Sequence, residues 1–184
     1  MKLIFQAAQK IQDFFDDQKW RFCFIGGVAL QRWARPRLTN DIDLTLLTGF
    51  GSEEDFIDVI LSKFDSRIND ARDFALQNRI LLLQINNIGV DLSLGGLFFE
   101  ESAVSRAVDY QFLPGVRLRI CTAEDLIVFK AFADRLQDWA DVQSIINVQD
   151  SLDWKYIYEQ LAPLVELKEA PEILNKLEKL RDQK

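Results

Sequence analysis

Two aspartates, Asp41 and Asp43, lie two positions apart in a run whose intervening places are taken by Ile42, Leu44 and Leu46. That alternation is the pattern of a half-buried strand, so both carboxylates and Thr45 share one face. Like charges placed this way repel and cost stability unless a cation sits between them. Hard divalent ions such as Mg²⁺ take oxygen ligands, usually one or two protein carboxylates plus substrate phosphates, which is the combination a nucleoside triphosphate such as ATP brings. Upstream, the apolar run Phe22 to Ile25 reads as a strand and is followed by Gly26 and Gly27, which let the backbone turn tightly into a helix over Val28 to Trp33. Amides at such a turn and helix start can bind phosphate oxygens. Each half alone is commonplace: paired glycines after a strand make a turn, and a lone DxD is a solvated strand face. In this order, with a strand on each side and a helix-sized spacer between, they describe the entrance to a metal-dependent phosphoryl-transfer site.

The elements that must position these groups follow along the chain. Met1 to Phe15 carries apolar residues at helical spacing (Ile4, Ala7, Ala8, Ile11, Phe14, Phe15) interrupted by polar ones, an amphipathic helix and neither a signal peptide nor a membrane span. After the aspartate strand, Ser52 is placed to cap a helix from Glu53 to Phe64, while residues 65–78 are mixed and charged, with Arg67, Arg72 and Arg79 read as solvated surface. Ile80 to Ile85 and Val90 to Leu94 form a hairpin, with Asp91 and Ser93 on the face opposite Val90, Leu92 and Leu94. Asp91 is thus a carboxylate on a strand otherwise committed to the core; the plain alternative is that it faces solvent or caps the turn. A helix over Phe98 to Val108 and strands over Asp109 to Leu113 and Val116 to Cys121 complete this part.

Thr122 and Asp125 make a capping box that opens a helix at Ala123, which carries Lys130 on the stripe of Leu126 and Ile127. A lysine there needs a partner: either Asp134, one turn on, or a triphosphate at the edge of the site. Two further helices follow, one with Trp154, Ile157, Tyr158 and Leu161 on one stripe, capped by Asp150 or Ser151 and kinked or ended by Pro163, the other starting at Pro171.

Gly26, Gly27, a spacer and then Asp41, Ile42, Asp43 resembles the hallmark of the DNA polymerase β-type nucleotidyltransferase superfamily: a hydrophobic strand, G[GS], and DhD with h apolar. The longer string Arg37 to Asp43, RLTNDID, resembles the RxTxDID signature of AbiEii-like small bacterial nucleotidyltransferases, some of them toxins or antitoxins. Gly27 stands where many members have serine, a variant that removes one hydroxyl contact to phosphate. The segment AEDLIVFKAFADRLQDWADV resembles the DLxxxK…RxxDxxD helix of the same proteins, and either Asp138 or Asp141 matches its final aspartate. The resemblance covers about residues 22–148. It implies an α+β fold, a nucleotidyltransferase-like mixed sheet flanked by helices over residues 1–121, with a helical region over 122–184 packed on it.

It also implies roles. Asp41, Asp43 and Asp91 would be the catalytic acids and the ligands of two Mg²⁺ ions, with Asp91 as the third acid on the neighbouring strand. Gly26, Gly27, Arg37, Thr39 and Lys130 would contact the nucleotide, with Arg32 and Arg35 as weaker contacts and Asp134, Asp138 and Asp141 as supporting acids. The reaction would pass a nucleoside monophosphate to an acceptor hydroxyl and release pyrophosphate. The acceptor stays open between a tRNA end, a protein side chain and a small molecule. Two rivals stand beside this reading: a non-catalytic antitoxin-like partner of a toxin, and a structural cation site in a protein whose work is done by its helices.

Composition narrows the field. With 184 residues, 48% hydrophobic and 28% charged, the chain is long enough for a sizeable core in a globular, cytoplasmic protein. The net charge of −7 argues against an extended nucleic-acid surface and makes an RNA acceptor less comfortable. The absence of histidine excludes His-ligated metals and histidine general bases. Cys23 and Cys121, far apart and in apolar runs, read as buried reduced thiols.

Overall fold

The computed structural model describes residues 1–184 and divides into two units. The first comprises Met1–Val28 and Leu38–Cys121, the second Ala29–Arg37 and Thr122–Lys184.

The first unit is built on a seven-stranded sheet in the order β3-β4-β5-β2-β1-β7-β6. Its strands are β1 (Phe22–Phe24), β2 (Asp41–Leu47), β3 (Asp65–Ser66), β4 (Ile80–Ile85), β5 (Ile88–Gly95), β6 (Val108–Leu113) and β7 (Val116–Ile120). β2 pairs with β5 and β1 with β7 in parallel, and the other neighbours are antiparallel, so the sheet is mixed. The alternation expected of the aspartate strand is present: Ile42, Leu44 and Leu46 are fully buried, as are Val90 and Leu92 in register beside them. Helix α1 (Lys2–Asp17) covers this apolar face, with Phe15 edge-on to Phe22 of β1. On the other face α5 (Phe98–Arg106) covers the far end of β2, where Glu100 accepts a hydrogen bond from the buried Thr45 hydroxyl at 3.0 Å and its second oxygen takes the Gly96 and Leu97 amides. The hairpin turn is Asn86 and Asn87, both with positive φ (52° and 63°), the twist a two-residue link needs.

Residues 65–78, unassigned from sequence, hold the short β3 and helix α4 (Ala71–Asn78). A two-residue strand is too short to show a period, and the pairing with β4 that defines it is tertiary. Helix α3 (Glu53–Leu61) ends before Phe64, and its Ser52 makes no side-chain cap.

In the second unit, the end of helix α2 (Gly26–Trp33) and residues up to Arg37 join α6 (Ala123–Ala133), α7 (Leu136–Val148), α8 (Trp154–Lys168) and α9 (Glu172–Arg181). Trp33 O accepts from Gln149 at 2.7 Å and the Arg35 amide donates to Ser144 at 3.1 Å, bonds that tie residues 29–37 to α7. The single helix expected over AEDLIVFKAFADRLQDWADV is two. Asp134 sits in the left-handed region at φ 58° and ends α6, so α7 begins in a new direction. Asp153 caps α8, rather than Asp150 or Ser151, and Pro163 lies inside that helix without ending it. Both cysteines are buried and neither is in a disulfide.

Candidate active site

Asp41 and Asp43 project from the same face of β2, and Asp91 of β5 is the register partner of Asp43. Parallel neighbours lie about 4.8 Å apart, so three acidic side chains from two strands share one patch of sheet. Such a patch is unstable without compensation. The structure supplies part of it locally. Asp43 Oδ2 accepts the Gly27 amide at 3.3 Å, and Asp41 Oδ1 accepts the Thr39 hydroxyl at 3.1 Å. Asp91 Oδ1 accepts from Arg67 Nη2.

The two glycines are required by this packing. Gly26 has φ +52°, and a Cβ there would lie 2.0 Å from Asp43 Oδ2. A Cβ on Gly27 would lie 2.2 Å from Thr39 Oγ1. The turn therefore closes against the side chains on which the chemistry would depend, and Gly26, Gly27, Thr39, Asp41 and Asp43 form one contiguous group. The third acid stands differently. Although Asp91 is on the expected face, no three acidic groups gather into a set able to hold a metal ion, and the Asp91 carboxylate faces Arg67 instead. Asp41 and Asp43 do suit a hard divalent cation: both donors are carboxylates, and they stand two positions apart on one face of β2.

In the helical unit, Lys130 is buried at 7% exposure and paired with Asp138 at 2.7 Å and Asp141 at 2.9 Å. Asp141 also takes Arg37 through two bonds of 2.8 Å each, a bidentate fork, and Asp138 takes Arg135 at 2.6 Å. Burial pushes the Asp138 and Asp141 carboxyls up, yet the hydrogen bonds from Arg135 and Lys130 on the former, and from Arg37 and Lys130 on the latter, outweigh it and hold both below the usual aspartate value. The Lys130–Asp134 pair expected within one helix is not formed: Asp134 instead takes Lys176 at 2.7 Å and the Trp139 indole at 2.6 Å. The break after α6 is the reason, since it folds α7 back along α6 and delivers two carboxylates to the ammonium. Of the two aspartates left open from sequence, both Asp138 and Asp141 meet the Lys130 ammonium. Arg32 stacks on the neighbouring Trp33 ring at 4.7 Å.

The family described as nucleotidyl transferase AbiEii toxin, type IV TA system, matches residues 8–183. The chain belongs to this family. No match is found among curated protein sequences. Among solved structures, an antigenic nucleotidyltransferase-like protein from Paracoccidioides brasiliensis superposes on this AbiEii-family chain with a TM-score of 0.56 at 14% identity, covering 95% of this chain and 92% of that one. ANT(2")-Ia in complex with adenylyl-2"-tobramycin gives 0.49 at 16% identity over 97% of both chains. The lincomycin-bound lincosamide antibiotic adenylyltransferase LnuA gives 0.49 at 10% identity, over 76% of this chain and 94% of that one. At such identities the likeness speaks to the fold alone, and it rests on the first of the three. The AbiEii chain therefore has a nucleotidyltransferase fold, and none of its helices is long and apolar enough to cross a membrane.

Arg67 was missed from sequence as a member of this patch. It follows a strand of only two residues, and nothing in its neighbours marks it apart from Arg72 or Arg79. Its place is legible only once β3 is seen beside β4 and β5.

Proposed function

We propose that this chain transfers a nucleoside monophosphate from a nucleoside triphosphate to an acceptor hydroxyl and releases pyrophosphate, with Asp41 and Asp43 as the central acids. The observation that carries the reading is the contiguous group Gly26, Gly27, Thr39, Asp41 and Asp43, with Asp91 in register beside Asp43. Membership in a nucleotidyl transferase family supports it.

Asp41 and Asp43 would hold Mg²⁺, with Asp91 available for a second ion only once it leaves Arg67. When bound, the metal supplies charge neutralisation at the phosphates and a lowered barrier to in-line displacement. The chain's own residues do the rest. Thr39 orients the Asp41 carboxylate, and the Gly27 amide orients that of Asp43. Asp91 takes the proton of the acceptor hydroxyl, a carboxylate role suited to a chain without histidine. Arg37, with 35% of its side chain exposed, is the cation of the helical network proposed for the triphosphate, and Lys130 fixes the Asp141 carboxylate that holds it.

The decisive experiment is transfer from labelled NTPs in cell extract, which reports both the nucleotide used and the size of the labelled acceptor. A family described as a toxin supports an acceptor whose modification harms the cell, and tRNA ends, protein side chains and small-molecule hydroxyls are the classes to separate. Label should appear with Mg²⁺ and vanish with a chelator. Absence of Mg²⁺-dependent NTP binding, together with copurification of a partner, would favour the non-catalytic antitoxin-like reading instead.

A further inference from the structure

Arg67 lies one residue beyond β3 and continues its pairing, its amide donating to Leu82 O at 3.0 Å. Leu82 is the register partner of Asp91, and Asp91 of Asp43. Residues in lateral register point to the same side of a sheet, so Arg67, Leu82, Asp91 and Asp43 form one row across four strands on the face of the acidic group. The guanidinium passes over Gly89, the register partner of Asp41, where a Cβ would come within 2.9 Å of Arg67 Nη1. The missing side chain at position 89 opens the lane by which Arg67 reaches Asp91. The pair is about one-third exposed on both sides, 33% and 39%, and ion pairs of that exposure are weak enough to exchange partners.

We propose that Arg67 is a nucleotide-binding residue that trades partners: its guanidinium neutralises Asp91 while the site lacks nucleotide and passes to the phosphates of the incoming nucleoside triphosphate, releasing Asp91. This rests on the carboxylate centre proposed above. A guanidinium fork matches phosphate oxygens as well as it matches a carboxylate, and a triphosphate chain, several-fold negative where a carboxylate is singly so, is the stronger competitor. The exchange keeps the acidic row compensated at every stage. Before nucleotide arrives, Arg67 offsets one of three carboxylates; afterwards the cation accompanying the triphosphate does so, and the arginine stands against the phosphates. The short β3 is suited to this, because one backbone bond beyond the strand holds Arg67 in place while the long side chain stays free to swing.

The test is calorimetric titration of the full chain with two probes taken separately: Mn²⁺ without nucleotide, and ATP without metal in the presence of chelator. Arg67→Gln should bind Mn²⁺ about fivefold more tightly, because Asp91 is no longer neutralised, and bind metal-free ATP about tenfold more weakly. A shift of both affinities in the same direction, or of neither, overturns the proposal. Arg67→Lys, which keeps the charge and loses the fork, should show the same opposite shifts at smaller size; if Arg67→Gln does not fold, their absence in Arg67→Lys overturns it equally. Asp43→Asn separates the two levels of the argument. If it leaves Mn²⁺ binding unchanged, the carboxylate centre itself is wrong; if it weakens Mn²⁺ while Arg67→Gln changes nothing, the centre stands and only the role of Arg67 falls.

Discussion

At the scale of residues, the group around Asp43 is held by contacts too close to accept substitution on the glycine side. Gly26→Ala places a methyl 2.0 Å from the Asp43 carboxylate at a backbone angle that L side chains rarely adopt. It should cost about 1–3 kcal/mol of stability and turn Asp43 out of place. Transfer activity should fall by orders of magnitude, and urea unfolding beside a labelled-NTP assay measures both effects. Asp43→Asn should abolish turnover while leaving the fold intact, since the two side chains are isosteric and the amide oxygen still accepts from Gly27. Retained transferase activity in that variant would remove Asp43 from the mechanism. These two substitutions differ in kind: one loses geometry, the other only charge.

At the scale of elements, the break between α6 and α7 decides what Lys130 does. Removing one partner from a buried, multiply bonded ion cluster leaves the other charges uncompensated, which costs about 3–5 kcal/mol. Lys130→Met should therefore lower the urea midpoint steeply, because both Asp138 and Asp141 lose a bond. Asp134→Ala should cost about 1 kcal/mol, as it removes contacts to Lys176 and Trp139 nearer the surface. Equal losses in the two variants would show that Lys130 and Asp134 act as a pair after all. The sheet offers a contrast. β2 and β5 display the period expected from their residues, because one face meets α1 and the other carries the acids, and no helix break intervenes.

For the whole molecule, the same cluster sets a response to acid. The Asp138 and Asp141 carboxyls lie below their unfolded value of about 3.9 in the native state, so the unfolded chain binds protons more readily than the folded one. Their contribution to stability is complete above that unfolded value and is lost as pH falls through the lower native values. Asp141→Asn should accordingly be less stable than the parent chain at pH 7, with the gap closing as pH falls below the unfolded value of about 3.9. Unfolding midpoints measured across that range check it; a gap that is constant with pH would mean that Asp141 contributes shape and not charge. Because the network ties Arg37 to α7 through Asp141, its loss should also weaken ATP binding, which calorimetry reads independently of stability.

Much of this molecule was written locally. The alternation over Asp41 to Leu46, the paired glycines after Phe22 to Ile25 and the hairpin around Asn86 and Asn87 depend on neighbours in sequence, so the strands and the shared face of Asp41 and Asp43 could be read directly, while the nucleotidyltransferase fold came from the resemblance those motifs carry. Other features depend on partners far along the chain. The turn at Asp134 gives no periodic signal, because a single residue in the left-handed region interrupts a helix without altering its apolar stripe. Arg67 looked like any surface arginine until β3, β4 and β5 were laid side by side and Gly89 opened its path to Asp91. Side-chain type and spacing thus determined which carboxylates share a face. Which cation each one meets was decided by tertiary structure, since pairing across strands and between helices is set by packing and not by distance along the chain.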